Sequence, residues 1–497
     1  MDRYDQLHVV SDLHFGGQKG RQIFNQGPAL AAVIDYLAGL DAKLSVGLLL
    51  NGDIVDFLAD AAEGQYLDPL RAVAKLDDVM RDPAFSPVFE ALGRFVRAEG
   101  RALVLAMGNH DVELGLRDVE ARMIEALSGG IPAARARIRY VMDGAGYLCQ
   151  VGDDKVFATH GNETDAWNPV DHEALRRVIL AMNQGIFPDR WTPNAGTRLV
   201  VDVMNGIKKR YPFVDLLKPE TIAVPQLLLA LPTDYKTSLY GFARSVGREV
   251  FDDGRMHFKL LSGGEDDGRK ALDALVSKGP LPVAARSAPA VVDDPLAAAA
   301  GHLGAGTRPV DLLGDTEGKE MLGIGGLLLD RLFGRDPREN LRRALATYMG
   351  DDETFALGGK DEIFDSLDKT VASDIRFITA GHTHLERRRI RSGGRGVYYN
   401  SGTWIRLIRL TEAMLESQES FAPFYEALIS EDMEALDRAR SATGKEQLVL
   451  QRGTVVSIES TGHGARGELR HAGLAPGEAL PAAPLPPWQS VPDSQFP

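Results

Sequence analysis

Five short stretches of this sequence concentrate imidazole, carboxylate and amide side chains: Asp12-Leu13-His14, Gly52-Asp53-Ile54-Val55-Asp56, Gly108-Asn109-His110-Asp111, His160-Gly161-Asn162-Glu163 and Gly381-His382-Thr383-His384. His14, His110, His160, His382 and His384 are five of only 11 histidines in 497 residues, so their grouping calls for a shared chemistry. Nitrogen and oxygen donors without a thiolate suit divalent Mn, Fe, Co or Zn at an open catalytic site better than a closed structural zinc. Asp12, His14, Asp53, Asn109, His160, His382 and His384 offer seven ligands, too many for one tetrahedral ion. One bridging carboxylate could instead hold two ions about 3.5–4 Å apart, where they would acidify a bound water and neutralise charge on a substrate oxygen.

Each stretch follows a short apolar run, at 7–10, 46–50, 102–106, 156–159 and 375–379. Between the first runs lie longer amphipathic segments, such as 29–40 and 116–127, and this alternation predicts a layered α/β fold. Such folds present ligands at the carboxyl ends of their strands, and the glycines there let the backbone turn sharply. The pattern predicts an N-terminal half of the core over 1–165, with 138–142 and 147–151 as a strand pair about Gly144 and Gly146. A helical insertion follows over 166–371, carrying a flexible Gly/Ala/Pro-rich loop near 262–309. The core resumes over 372–460, with strands at 387–390, 396–399 and 404–410 and a terminal pair at 447–450 and 454–458. From 461 to 497 the Gly/Ala/Pro-rich composition predicts a disordered tail.

Lys+Arg number 56 against 70 Asp+Glu, a net charge of −14, which argues against non-specific binding to nucleic acid. Cys149 is the single cysteine, so no intramolecular disulfide can form. The N-terminus carries no apolar stretch of signal-peptide length, and the apolar windows at 44–50, 222–231 and 321–329 are too short to span a bilayer. A cytoplasmic location is expected, with room for contact at the inner membrane face.

The ordered set D-x-H, G-D-x-x-D, G-N-H-D, H-G and G-H-T-H resembles the calcineurin-like metallophosphoesterases, over roughly residues 7–165 and 372–410. That resemblance implies a four-layer α/β/β/α sandwich, here with a large helical insertion, and a dinuclear phosphoesterase. Asp12, His14 and His384 would hold one metal, Asn109, His160 and His382 the other, with Asp53 bridging. Manganese is the first expectation, with iron, zinc or cobalt as alternatives. A metal-bridging hydroxide would attack phosphorus, His110 would act as general acid at the leaving group with Asp111 orienting it, and Asp56 would steady the loop or a ligand imidazole. The 52–57 wording resembles the bacterial branch containing UDP-2,3-diacylglucosamine pyrophosphatase. This chain departs from that branch in having His110 where it has arginine, and in the 220 residues from Gly161 to Ala380. Three substrate classes follow: a nucleotide-like diester or pyrophosphate, a lipid-linked version, and a phosphomonoester of protein or small molecule. A non-catalytic metal-binding scaffold is the alternative of a different class.

Plainer readings apply elsewhere. His8, His172, His257, His302, His463 and His471 read as ordinary core or surface histidines. Asp56 and Asp111 could be turn formers, and the arginines of 387–391 read as a solvated edge strand sooner than a phosphate site. The apolar stretches at 222–231 and 321–333 read as lid core. Asn162 and Glu163 could contact substrate.

Overall fold

In the computed structural model the described residues are 1–218 apart from 63 and 187–190, then 336–349, 354–450, 452–473 and 486–497. The loop at 262–309, the apolar stretches at 222–231 and 321–333, and His257 and His302 lie outside them. Among the described residues, two β-sheets stack face to face. The first runs, edge to edge, Gln489–Ser490, Ala465–Ala472, Gly453–Ser460, Gln6–Val10, Val46–Asn51, Arg101–Ala106 and Ile138–Val141. The second runs Asp2–Tyr4, Tyr147–Val151, Asp154–Ala158, Ile375–Ala380, Val397–Ser401 and Glu386–Ile390.

Central strands are buried on both faces, which is why they read as continuous apolar runs; Val46–Asn51 has no exposed residue. Between the sheets, Leu7, Val9, Leu49 and Val104 of one meet Cys149, Val156, Phe377 and Tyr399 of the other. On the outer face of the first sheet, Leu48, Leu50, Leu103 and Leu105 pack against the helices Gly27–Ala38, Ala72–Arg81, Ser86–Arg97 and Arg117–Ser128. Helix Ser86–Arg97 shows the required pattern: a proline in its first turn, Val88, Leu92, Phe95 and Val96 buried, and Arg94 and Arg97 in the last turn. Helix Glu362–Thr370 covers the second sheet through Phe364 and Leu367 against Ile378 and Tyr398. The result is the expected four-layer α/β/β/α arrangement. A further apolar cluster joins Phe213, Leu216 and Leu341 to Phe421, Phe424 and Leu428 of helix Gln418–Ile429.

Three expectations are corrected. Ile138–Val141 and Tyr147–Val151 do not pair: the first lies parallel to Arg101–Ala106, the second antiparallel to Asp154–Ala158 in the other sheet. The chain changes sheets between them at Gly144 and Gly146, both at positive φ, and a Cβ on Gly146 would lie 2.7 Å from the Phe157 ring. Residues 449–450 pair with Leu407–Ile408, leaving Gly453–Ser460 free to pair with Gln6–Val10 and Ala465–Ala472.

The third concerns residues 461–497, expected to be disordered, where 465–472 and 489–490 are strands. Beyond them Phe496 exchanges two backbone hydrogen bonds with Gly467, at 2.8 and 2.9 Å, and packs 6.0 Å from the Phe377 ring. Trp488 stacks on His8 at 5.6 Å. Proline-rich composition lowers the apolar content, but Trp488, Val491 and Phe496 suffice to anchor this segment on the sheets.

Candidate metal centre

Three strands of the first sheet, Gln6–Val10, Val46–Asn51 and Arg101–Ala106, run parallel and in register, with Val10 beside Leu50 and Asn51 beside Ala106. Their carboxyl ends therefore deliver Asp12 and His14, Asp53, and Asn109 to one place. From the second sheet the parallel strands Asp154–Ala158 and Ile375–Ala380 deliver His160, His382 and His384. A cross-link joins the two sheet ends, Asn51 Nδ2 donating to the Thr159 carbonyl at 2.7 Å, and within the second sheet Gly381 N–H donates to the His160 carbonyl at 2.8 Å.

The local backbone is unusual. Asp12, His14, Asp53, His382 and His384 all have φ between 47° and 70°, five of the seven positive-φ non-glycine residues among those described. Side chains seldom adopt this left-handed region, and where they cluster in it the surrounding structure must hold them there. Hydrogen bonds do so for Asp12, whose carboxylate accepts from His382 N–H at 3.1 Å and from the Ser11 hydroxyl, and whose carbonyl accepts from Thr403 Oγ1 at 2.7 Å. The motif glycines give clearance. A Cβ on Gly52 would lie 2.3 Å from the His160 ring, and one on Gly108 would lie 2.2 Å from Asp53 Oδ1. Gly108→Ala should therefore push Asp53 aside, costing about 1–3 kcal/mol of stability and weakening metal binding; thermal melts and a manganese titration check both, and wild-type values in each would contradict the packing argument.

Six of the seven expected ligands, Asp12, His14, Asp53, His160, His382 and His384, come together. Asp12, His14, Asp53 and His384 offer ligand atoms within 4.8 Å of one another, as do Asp53, His160 and His382, so Asp53 belongs to both groups. His384 Nε2 is 3.1 Å from His14 Nε2 and 3.3 Å from Asp12 Oδ1. Asp53 Oδ2 lies 3.7 Å from His14 Nε2 and 3.2 Å from His160 Nε2. Asn109 precedes His110, whose N–H donates to Asp53 Oδ1 at 2.9 Å; its own Nδ2 is on Asn168 Oδ1 at 3.4 Å and its buried Oδ1 has no hydrogen-bond partner.

Does this set fit a cation? His160 answers most directly. Its Nδ1 lies 2.8 Å from the Asn51 carbonyl oxygen, which can only accept, so the ring proton sits on Nδ1. Nε2 of the neutral ring is then a bare lone pair, buried, unpartnered and facing a carboxylate oxygen. Two acceptors in contact repel unless a proton or a metal ion lies between them. Burial alone would disfavour charge, yet Asp53 and Asp12 drive the His160 pKa up to about 10. Burial likewise opposes ionisation of Asp53 and Asp56, but neighbouring imidazoles hold both well below the usual carboxylate range. Burial and the nearby Lys218 charge hold His384 at about 4, with a lone pair available. The cluster thus needs positive charge, and the donors present are those that bind divalent cations.

Around this core the structure reassigns one residue and adds others. Asp111 does not orient His110. Its buried carboxylate accepts from Gly108 N–H at 2.6 Å and Ile54 N–H at 2.7 Å, tying two ligand loops together; burial and the Asp53 charge push its pKa up to about 7. The carboxylate facing His110 is Asp56, whose Oδ1 lies 3.2 Å from His110 Nδ1. Burial opposes the charged form of His110, but Asp53 and Asp56 outweigh it and raise the pKa to about 9.

Asp165 was not singled out from sequence, yet its Oδ2 is 2.9 Å from His382 Nε2 and accepts from Asn168 Nδ2 at 2.6 Å. It is one acidic residue in a polar turn, and nothing in its immediate sequence marks it. Asn162 and Glu163 face away into local contacts, Asn162 donating to the Asn168 carbonyl at 3.0 Å and Glu163 meeting His172 at 2.8 Å. The arginines of 387–391 serve backbone carbonyls, Arg387 those of Thr354 and Glu386, and Arg391 those of Ala372 and Ile375. His8 is a buried core histidine between Ser457 and Gln6.

None of the curated proteins compared matches the chain. Residues 6–219 match the family model described as calcineurin-like phosphoesterase, a span that contains every motif up to His160 and stops short of His382 and His384.

Proposed function

We propose, for a chain whose residues 6–219 match the calcineurin-like phosphoesterase family, that it hydrolyses a phosphate ester or pyrophosphate bond at a dinuclear centre. In this reading Asp12, His14 and His384 hold one cation, Asn109, His160 and His382 the other, and Asp53 both. The observation that carries it is the position of Asp53, common to both ligand groups and set against the bare His160 nitrogen. Manganese is our first choice of metal. Bound there, two divalent ions would polarise the phosphoryl oxygens and lower the pKa of a bound water toward neutrality.

The chain's own residues do the rest. Asp56 orients His110 through Nδ1, leaving Nε2 to give a proton to the leaving-group oxygen. Asp165 can only accept, so it keeps the proton on His382 Nε2 and the lone pair on Nδ1. Asp165→Ala should weaken manganese affinity at one of two sites by about 10–100-fold. Isothermal titration resolves this; two undiminished sites in the variant would remove Asp165 from the account.

Among the described residues no helix is long and apolar enough to cross a membrane. We place the protein in the cytoplasm, where its single buried Cys149 stays reduced. Purified protein should hydrolyse bis-p-nitrophenyl phosphate with added manganese and stop on chelation. Failure of fully metal-loaded protein to turn over any mono- or diester would favour the scaffold reading instead.

A further inference from the structure

Beside the metal centre, His14 and Asp56 form the inner wall of a cavity of about 220 Å³. Its other walls are two core loops, at 16–23 and 59–62, and the insertion at 205–215. The insertion wall is docked on the core. Asn205 Nδ2 donates to the Leu58 carbonyl at 2.9 Å, Asp202 accepts from the Tyr66 hydroxyl at 2.7 Å, and Arg21 donates to the Lys209 carbonyl. This is built structure, and it brings side chains of the insertion to the mouth of the site.

Three cations, Arg21, Lys208 and Lys209, line the cavity against Asp56, Asp60 and Asp215. The carboxylates are largely committed. Asp56 faces His14 and His110, Asp215 pairs with Lys208 at 2.7 Å, and burial raises the pKa of the Asp60 carboxyl. Arg21 reaches Glu431 at 3.3 Å on the outer rim. Lys209 is exposed, at the end of the helix Asn205–Lys208, and adds its charge to the same wall. An anion entering from solvent meets this wall before it meets the metal ligands.

His110, the proposed proton donor, is not part of this lining but touches it. The His110 ring packs 4.8 Å from that of His14 and 3.2 Å from Asp56, the two residues that form the inner wall. An apolar cavity of about 150 Å³ accommodates benzene, so the space here suits one sugar-sized ring and is too small for a pair of acyl chains. Gln18, Asn205 and the charged residues give its lining polar groups beside the apolar Ile23, Ala59, Ala61, Ala62 and Pro212.

We infer that this cavity seats the substrate's leaving group, and that the leaving group is small, polar and carries a second phosphate, met by Lys209 with Lys208 and Arg21 beside it. The inference rests on the phosphoesterase reading and narrows its substrate class to polar bisphosphorylated small molecules.

The test measures inhibition of bis-p-nitrophenyl phosphate hydrolysis by three probes, with the full-length manganese-loaded protein: fructose 6-phosphate, fructose 1,6-bisphosphate and dihexanoyl phosphatidate. The bisphosphate should inhibit about tenfold more tightly than the monophosphate, the worth of one added charge-assisted contact. Lys209→Glu should abolish that preference and Lys209→Arg should keep it. Equal inhibition by the two sugars, or a preference that survives Lys209→Glu, overturns the assignment. A phosphatidate that binds more tightly than either sugar overturns it too, by marking an apolar leaving group. If the wild-type protein hydrolyses no ester, the phosphoesterase reading falls and this inference with it, a failure recognisable before any variant is made.

Discussion

Replacing Asp53 by alanine should lower kcat/KM toward bis-p-nitrophenyl phosphate by about four orders of magnitude, because several kcal/mol of charge stabilisation depend on both cations being present. Asp53 is buried, and its Oδ2 lies near His14 on one side and His160 on the other. No neighbouring carboxylate can replace it: Asp12 is engaged by His382 N–H and Ser11, and Asp111 is spent on Gly108 and Ile54. The variant also loses the acceptor for His110 N–H at 2.9 Å, so the loop of Asn109 should loosen. Metal content measured beside activity checks the cause. A variant that lost activity but kept its full metal content would show that Asp53 acts by another route.

His110→Ala should behave differently. We expect turnover to fall by about 10²–10⁴-fold, the usual range for a positioned general acid, with metal stoichiometry retained, since His110 lies against Asp56 and belongs to neither of the two groups that share Asp53. The loss should be steepest for alkyl esters and smallest for p-nitrophenyl esters, whose leaving group needs little protonation. A uniform loss across leaving groups would contradict the general-acid role. Asp56→Asn extends the argument. Together with Asp53, the Asp56 charge favours the protonated ring, so its removal should shift the alkaline limb of kcat to lower pH. An unmoved limb would separate Asp56 from proton transfer.

Much of the site was legible because the side chains that meet there are written as contiguous words at strand ends. Asp12-Leu13-His14 and Gly381-His382-Thr383-His384 carry both the donors and, in the second case, the glycine that makes room for them. What sequence could not supply was the partner of each group across the fold. Asp56 and Asp111 look alike in sequence, each a carboxylate closing a motif, and only the packing of two loops decides that Asp56 meets His110 while Asp111 meets backbone N–H groups. Asp165 lies 217 residues from His382 and is brought to it by the pairing of Asp154–Ala158 with Ile375–Ala380. Strand partners were hidden for the same reason: local pattern marks 147–151 as a strand and says nothing of which sheet receives it. In the C-terminal segment, composition was misleading because a few large apolar residues outweigh many prolines when a sheet edge is there to receive them.

The shared position of Asp53 is the claim on which the rest depends. Electron paramagnetic resonance of the manganese-loaded protein reads it without any assay of activity. Two Mn(II) ions about 3.5–4 Å apart and bridged by one carboxylate are exchange-coupled, so wild type should give a coupled multiline signal that Asp53→Ala abolishes. An isolated six-line spectrum from wild type carrying a full complement of metal would contradict the account.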